Sequence, residues 1–365
     1  MPRFNSYFIL IVLAITSISC ARNSNDASPD IHTIDVGLDQ MDMVEFQDVS
    51  NTFSDIYDYQ YWIANDSLVL IKNDKSKGNF LDIANLNTGK RIGAFLPYGE
   101  GPDEILFDDI FFDGSQIVVT DFIRSRFAQF TPDKLMQDSF RPRFNKFPIE
   151  LYATSPPLLY GNDSILLVNP FRYINKRYGI EQDEPRFIKI PIEYESLQYN
   201  TTGLYITNCV GQIILAENPV DKRLWAASYE KSVIEIYDAA ANLEKTISIP
   251  SKVSQDPQVA VVESRGVKEV VAQGQRSSAF QNMTFDKKDG SAYLLLVGEI
   301  FLKGQKSNEK GAYIIHLDHE GNFINGAYSP QYIRNISVSN GTIYATILDE
   351  DENPKLVKAT LSDEK

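Results

Sequence analysis

One short unit returns six times along this 365-residue chain: a small or polar turn followed at once by a strongly apolar strand. The copies open at Asp66-Ser67-Leu68, Gly114-Ser115-Gln116, Asp163-Ser164-Ile165, Lys222-Arg223-Leu224, Gly290-Ser291-Ala292 and Gly341-Thr342-Ile343. Their second residues lie 48 to 68 positions apart, with a mean of 55. A period of that length holds several strands, and one such unit cannot bury both faces of its own sheet. Neighbours stacked around a ring can. Between the copies, β-branched and aromatic residues follow a period close to two, broken by turn residues. The expected fold is all-β, a six-bladed β-propeller over residues 31–365. A β-sandwich or a pair of unrelated β domains is the competing architecture, yet a sandwich of ~100 residues would not carry six phased copies.

Within a copy the order is regular. In the fourth, Leu224–Tyr229 and Ser232–Tyr237 read as strands, Asp238 to Asn242 as a turn and Lys245–Ile249 as the return. The second gives Gln116–Phe122, Arg126–Phe130 and a later strand near Phe147–Tyr152. The last gives Tyr332–Val338, Thr342–Leu348 and Lys355–Leu361, then stops one strand short. An open sheet leaves unpaired N–H and C=O groups. The alternating segment Ile31–Val36 is therefore expected to supply the missing outer strand and lock the ring.

Ahead of the repeats, residues 1–19 read as a secretion signal. A basic start at Arg3 precedes the twelve-residue apolar run Tyr7–Ile18, too short to span a bilayer but suited to a signal core. The run ends Ser17-Ile18-Ser19-Cys20, which resembles a bacterial lipobox, with Ser17 in place of the usual leucine. That resemblance implies acylation of Cys20, and more than one acyl chain gives stable anchoring. Ordinary signal cleavage is the alternative. Residues 20–30 are small and polar, the composition of a tether. The expected location is the bacterial envelope, at the outer membrane, with the periplasmic or surface face left open.

Between the first two copies stands Tyr98-Gly99-Glu100-Gly101-Pro102-Asp103-Glu104, followed by Thr120-Asp121-Phe122 and Arg126-Phe127. Together these resemble the TolB-like six-bladed propeller lipoproteins of Gram-negative bacteria, which typically show G-x-G-P-G-E after the first blade and then a strand ending Asp-Tyr/Phe. Asp103 replaces the third glycine. Read as residues alone, Gly99 and Gly101 permit positive φ and Pro102 forbids a central strand position, so Gly99, Gly101, Pro102 and Glu104 make a structural turn between blades. No Gly-Lys-Ser/Thr follows, and no helix opens behind it, as a phosphate loop requires.

Chemistry is sparse in the pattern. No G-x-S-x-G, H-E-x-x-H or P-loop occurs. Two cysteines and three histidines argue against a structural zinc site, and Cys209 reads as a small buried hydrophobe. His316 to Asn322 reads as a hairpin turn, as does Asp286–Gly290. The acidic run Asp349–Glu352 reads as a solvated turn, because calcium needs converging oxygens. No metal and no cofactor is expected. A net charge of −14 repels phosphate backbones, which sets nucleic acid aside as a partner.

Two regions are candidate recognition surfaces. Phe171, Arg172, Tyr173, Arg177 and Tyr178 mix aromatics with cations, which suits sugars or a protein partner, although packing between blades is the more ordinary fate of Phe and Tyr. The interval Ser251–Phe280 extends a blade or forms an excursion. The functional expectation is a non-catalytic binding module for a protein, peptide or glycan. A funnel hydrolase or lactonase using carboxylates or Ca²⁺, and a structural scaffold of a membrane complex, are the alternatives.

Overall fold

The computed structural model describes residues 31–49, 60–73, 78–106, 108–137, 140–146, 158–160, 164–168, 187–191, 204–206, 213–229, 232–249, 258–264, 267–273, 280–297, 311–349, 351 and 353–361. The chain forms an all-β propeller. Each of the six repeat copies opens the second strand of a different sheet. The first sheet is β3 (Gln60–Asn65), β4 (Leu68–Lys72), β5 (Asn79–Asn85) and β6 (Arg91–Pro97), in that order. The second is β7 (Asp108–Phe112), β8 (Ile117–Asp121), β9 (Arg126–Phe130) and β10 (Asn145–Lys146), with a one-turn helix α1 (Pro132–Leu135) after β9. The third has β11 (Leu158–Tyr160), β12 (Ser164–Val168) and β13 (Phe187–Pro191).

The fourth sheet runs β15 (Ile213–Glu217), β16 (Leu224–Ser228), β17 (Val233–Tyr237) and β18 (Leu243–Ser248). The fifth is β21 (Phe280–Phe285), β22 (Ala292–Val297), β23 (Ala312–Leu317) and β24 (Phe323–Ser329). The sixth joins β25 (Ile333–Ser339), β26 (Thr342–Leu348) and β27 (Pro354–Thr360).

The apolar strand of each copy is apolar for a reason. Every residue of β8 and of β22 is buried, so both faces of the second strand are covered by neighbouring sheets. The period of two then sends alternate side chains to opposite neighbours. Leu294 and Leu296 of β22 pack with Trp225 and Ile236 of the fourth sheet. Tyr293 and Leu295 pack with Ile336 and Ile343 of the sixth. Likewise Trp62 and Leu70 face Phe112 and Val119 of the second sheet, while Ile63 and Val69 face Leu356 of the sixth. Shared cores thus order the sheets four, five, six, one, two. Hydrogen bonds also tie the first sheet to the sixth: Ile63 N–H donates to Ser337 Oγ at 2.8 Å, and Asn335 Nδ2 donates to the Tyr61 carbonyl at 2.5 Å.

The N-terminal segment departs from expectation. Ile31–Thr33 (β1) does not complete the last sheet; it pairs in parallel with β18, at the outer edge of the fourth. The outer position of the sixth sheet is held by Gln47–Asp48 (β2), antiparallel to β27. Alternation marks a segment as an edge strand but carries no information about which edge it meets. Burial of Val36 among Ile236 and Ile247 selects the fourth sheet. The interval before the fifth copy forms its own sheet: β19 (Gln258–Ser264) and β20 (Val267–Gln273) make a hairpin, and β14 (Leu204–Ile206) lies parallel to β20. The fourth strand of the second sheet is β10, ahead of the expected 147–152, which fall outside the described residues.

Candidate functional site

The loop from Tyr98 to Ile105 joins β6 to β7, and two arginines clamp it. Arg124 donates to the carbonyls of Gly101 at 3.0 Å, Glu104 at 2.8 Å and Gly99 at 3.3 Å. Arg126 donates to the Pro102 carbonyl at 2.6 Å and to that of Glu104. Beneath them lies the fully buried carboxylate of Asp121, 3.2 Å from Arg126 and 3.8 Å from Arg124. Glu104 folds inward, and its Oε2 accepts the Gly101 N–H at 2.6 Å. Gly99 adopts a positive φ of 158°, as expected, whereas Gly101 is explained differently. A Cβ on Gly99 would stand 2.2 Å from Glu104 Oε2, and one on Gly101 would stand 3.0 Å from the same carboxylate. Gly101 does not adopt positive φ. Close approach of Glu104, not left-handed backbone, is what Gly101 answers.

The loop contributes Asp103 to a cleft of about 500 Å³ between β6 and the segment from α1 to Pro142. Its floor is apolar, from Phe95, Leu96, Leu135 and Phe140. Asp103 stands at the rim, half-exposed, with Arg141 3.9 Å away. The residue that breaks the family's third glycine is thus a rim carboxylate. Clefts of this volume with an apolar floor and few polar groups are the usual form of a ligand site.

A second polar assembly lies where the first strands of the sheets meet, in the hairpins that lead to the second strands. Asn340 Nδ2 donates to Asp66, Asp286 accepts the Gly341 N–H at 2.6 Å, and Asn218 Nδ2 donates to the Gly290 carbonyl at 2.8 Å. Lys287 crosses from the fifth sheet to the first, where its Nζ donates to the Ala64 carbonyl at 3.0 Å. Asp113 is buried at the end of β7, and burial pushes its carboxyl up to about 6. The N–H groups of Gln116 and Ser115, each at 2.7 Å, and the charge of Lys287 work against that rise, while Glu217 adds to it. Burial likewise lowers the Lys287 ammonium, opposed by Asp133 and Asp113.

Asp113 gives a pH-dependent prediction. Its folded-state value lies above the ordinary 3.8, so the folded chain holds the proton more tightly than the unfolded chain. That stabilisation is complete below 3.8 and is lost as pH rises through about 6. Asp113→Asn keeps an acceptor for both N–H groups and removes the buried charge. Urea unfolding at pH 7.5 is expected to show the variant about 1–3 kcal/mol more stable, with the difference gone at pH 4.

Other candidates fall as follows. Cys20, Cys209 and the Phe171–Tyr178 stretch lie outside the described residues. His316 is not in the hairpin turn; it sits in β23, stacked on Tyr293 at 4.1 Å, with Nδ1 2.9 Å from Asn325 Oδ1. Only His319 belongs to the turn. Among the described residues no group of three or more His, Cys, Asp or Glu side chains could hold a metal ion. None of the helices there is long and apolar enough to cross a membrane.

Sequence reasoning placed turns in these three regions but missed that one Asp-x-x-x-Asn form recurs, at Asp238–Asn242, Asp318–Asn322 and Asp349–Asn353. In each, Asp Oδ1 accepts the N–H of the second and fourth following residues at 2.8–3.0 Å. All three carboxyls lie below the usual range. At Asp238 the Asn242 side-chain amide lowers it most, then the N–H bonds. At Asp318 burial raises it, and the Asn322 N–H and side-chain amide bring it down against that rise. At Asp349 the Asn353 N–H is the chief cause. Part of the acidic run at 349–352 thus caps its own hairpin.

Stacked sheets with shared inter-sheet cores, and polar hairpins meeting where their first strands converge, define a β-propeller protein. The chain belongs to the TolB-like 6-blade propeller-like family, whose model matches residues 45–341. No curated protein matches it. Among solved structures it is similar to a member of the DUF4221 family from Bacteroides vulgatus, at 12% identity and TM-score 0.56, covering 88% of this chain and 98% of that one. It is also similar to a putative exported protein from Bacteroides fragilis, at 12% identity and TM-score 0.47, covering 91% and 98%. These likenesses concern the fold.

Proposed function

We propose that this chain is a lipid-anchored envelope protein, acylated at Cys20, whose propeller is a non-catalytic binding module for a protein, peptide or glycan. The observation that carries the binding reading is the β6–α1 cleft, with its apolar floor and its Asp103–Arg141 rim. Anchoring is supported by the apolar run Tyr7–Ile18 ending at Ser19-Cys20. The six sheets opened by the six copies serve as six blades, and β2 serves as the closing outer strand of the last.

Cells fed labelled palmitate are expected to yield labelled protein in the membrane fraction. Cys20→Ser is expected to abolish the label and move the protein to the soluble fraction. Retention of both label and membrane association in the variant would sink the anchor. For binding, glycan and peptide arrays are the probes, and Met136→Asp at the cleft is expected to weaken any hit about tenfold. A second reading, a funnel hydrolase, draws on buried Asp113, whose raised carboxyl is what a general acid requires. Turnover of an ester or glycoside, lost in Asp113→Asn, would replace the first reading with this one.

A further inference from the structure

Residues 31–49 do more than add one edge strand. They run as a strap across the outer edges of three successive sheets. On the fourth, β1 pairs with β18, and the Ile34 N–H donates to the Ser248 carbonyl at 2.9 Å. On the fifth, Val44 N–H donates to the Tyr328 carbonyl, and Tyr328 N–H donates to that of Asp42, both at 2.8 Å. On the sixth, β2 pairs with β27, and the Val49 N–H donates to the Leu356 carbonyl at 3.0 Å. Apolar side chains seat the strap between these bonds. Val36 is buried, Ile34, Leu38 and Met41 pack on the core shared by the fourth and fifth sheets, and Gly326 makes room for Met41.

The strap therefore meets the ring first at the fourth sheet. Ten residues lie between Cys20 and Ile31, and the eleven Cα–Cα steps reach about 40 Å at most. Shared cores order the sheets four, five, six, one, two, so the first sheet stands three places from the fourth. In a ring of six that is the opposite side. The cleft is built on the outer strand of the first sheet and on α1 of the second.

We propose that the strap fixes how the propeller stands on the lipid surface: the outer rim of the fourth sheet faces the membrane, and the β6–α1 cleft is presented away from it. This rests on acylation at Cys20. It makes the cleft a surface for a partner approaching from the aqueous side.

The test uses lipidated full-length protein, with Cys209→Ser, on phosphatidylcholine vesicles carrying a headgroup quencher. Fluorophores are placed through His32→Cys or Glu244→Cys on the strap side and Ile92→Cys or Met136→Cys at the cleft. Quenching at 32 and 244 is expected to exceed that at 92 and 136 at least twofold. Equal quenching, or the reverse order, on vesicle-bound protein overturns the orientation while leaving the anchor intact. Failure of the lipid-processed chain to bind vesicles overturns the anchor and the orientation together.

Discussion

Replacing Asp121 by alanine is expected to lower the unfolding free energy by about 3–5 kcal/mol, read by urea titration at neutral pH. The cause is the pair of cations it serves. Arg124 and Arg126 are mostly buried, at 21% and 13% side-chain exposure, and Asp121 is the carboxylate beneath both. Their remaining donors go to carbonyls of the 98–105 loop, which offset charge only in part. Without Asp121 the guanidinium groups lose their counter-ion in a low-dielectric setting, and one partner removed from such a pair costs more than the pair contributes. Replacing all three residues together is expected to cost less than the sum of the single changes, because the stranded charges go as well. An Asp121→Ala protein with wild-type stability would show that the loop holds its shape without the clamp.

The second large effect is at Trp225. Its side chain is fully buried in β16 and meets Phe285 of the fifth sheet edge-on, ring centres 5.7 Å apart. It shares a core with Phe280, Ile236 and Leu294, so it joins two sheets rather than filling one. Trp225→Ala leaves a cavity that stacked sheets cannot collapse without shifting against each other, and about 3–5 kcal/mol is expected to be lost. The indole Nε1 has no hydrogen-bond partner among the described residues. Trp225→Phe therefore forfeits no hydrogen bond there and is expected to cost well under half as much. Equal losses for the two variants would mean that the ring contributes little and that strain elsewhere governs the effect.

The two variants bear on what a single chain reveals. Trp225 stood in a recognised repeat, Leu224-Trp225-Ala226, and its burial followed from belonging to a second strand. Asp121 is visible in the sequence as the acid of a strand ending Asp-Phe, part of the family resemblance, but nothing there announces the charges it meets. Its neighbours Arg124 and Arg126 lie close in sequence, yet the carbonyls they bind are 20 to 25 residues away. The Asp-x-x-x-Asn turns were legible in principle, since each is a local hydrogen-bond set five residues long. The cleft was not. Its floor joins Phe95 to Phe140, and no pattern in either segment announces the other.

What the amino-acid order determined by itself was local and periodic. It set six apolar strands behind polar turns, the spacing that calls for stacked sheets, and the short loop whose glycines tolerate a folded-in glutamate. Tertiary structure alone decided which edge received Ile31–Thr33, which sheets share each core and where Asp113 and Lys287 come near one another. The reason is physical. Alternation and turn chemistry act over a few residues, whereas an edge strand or a buried charge is chosen by the surface it happens to meet, and that surface exists only once the ring has assembled.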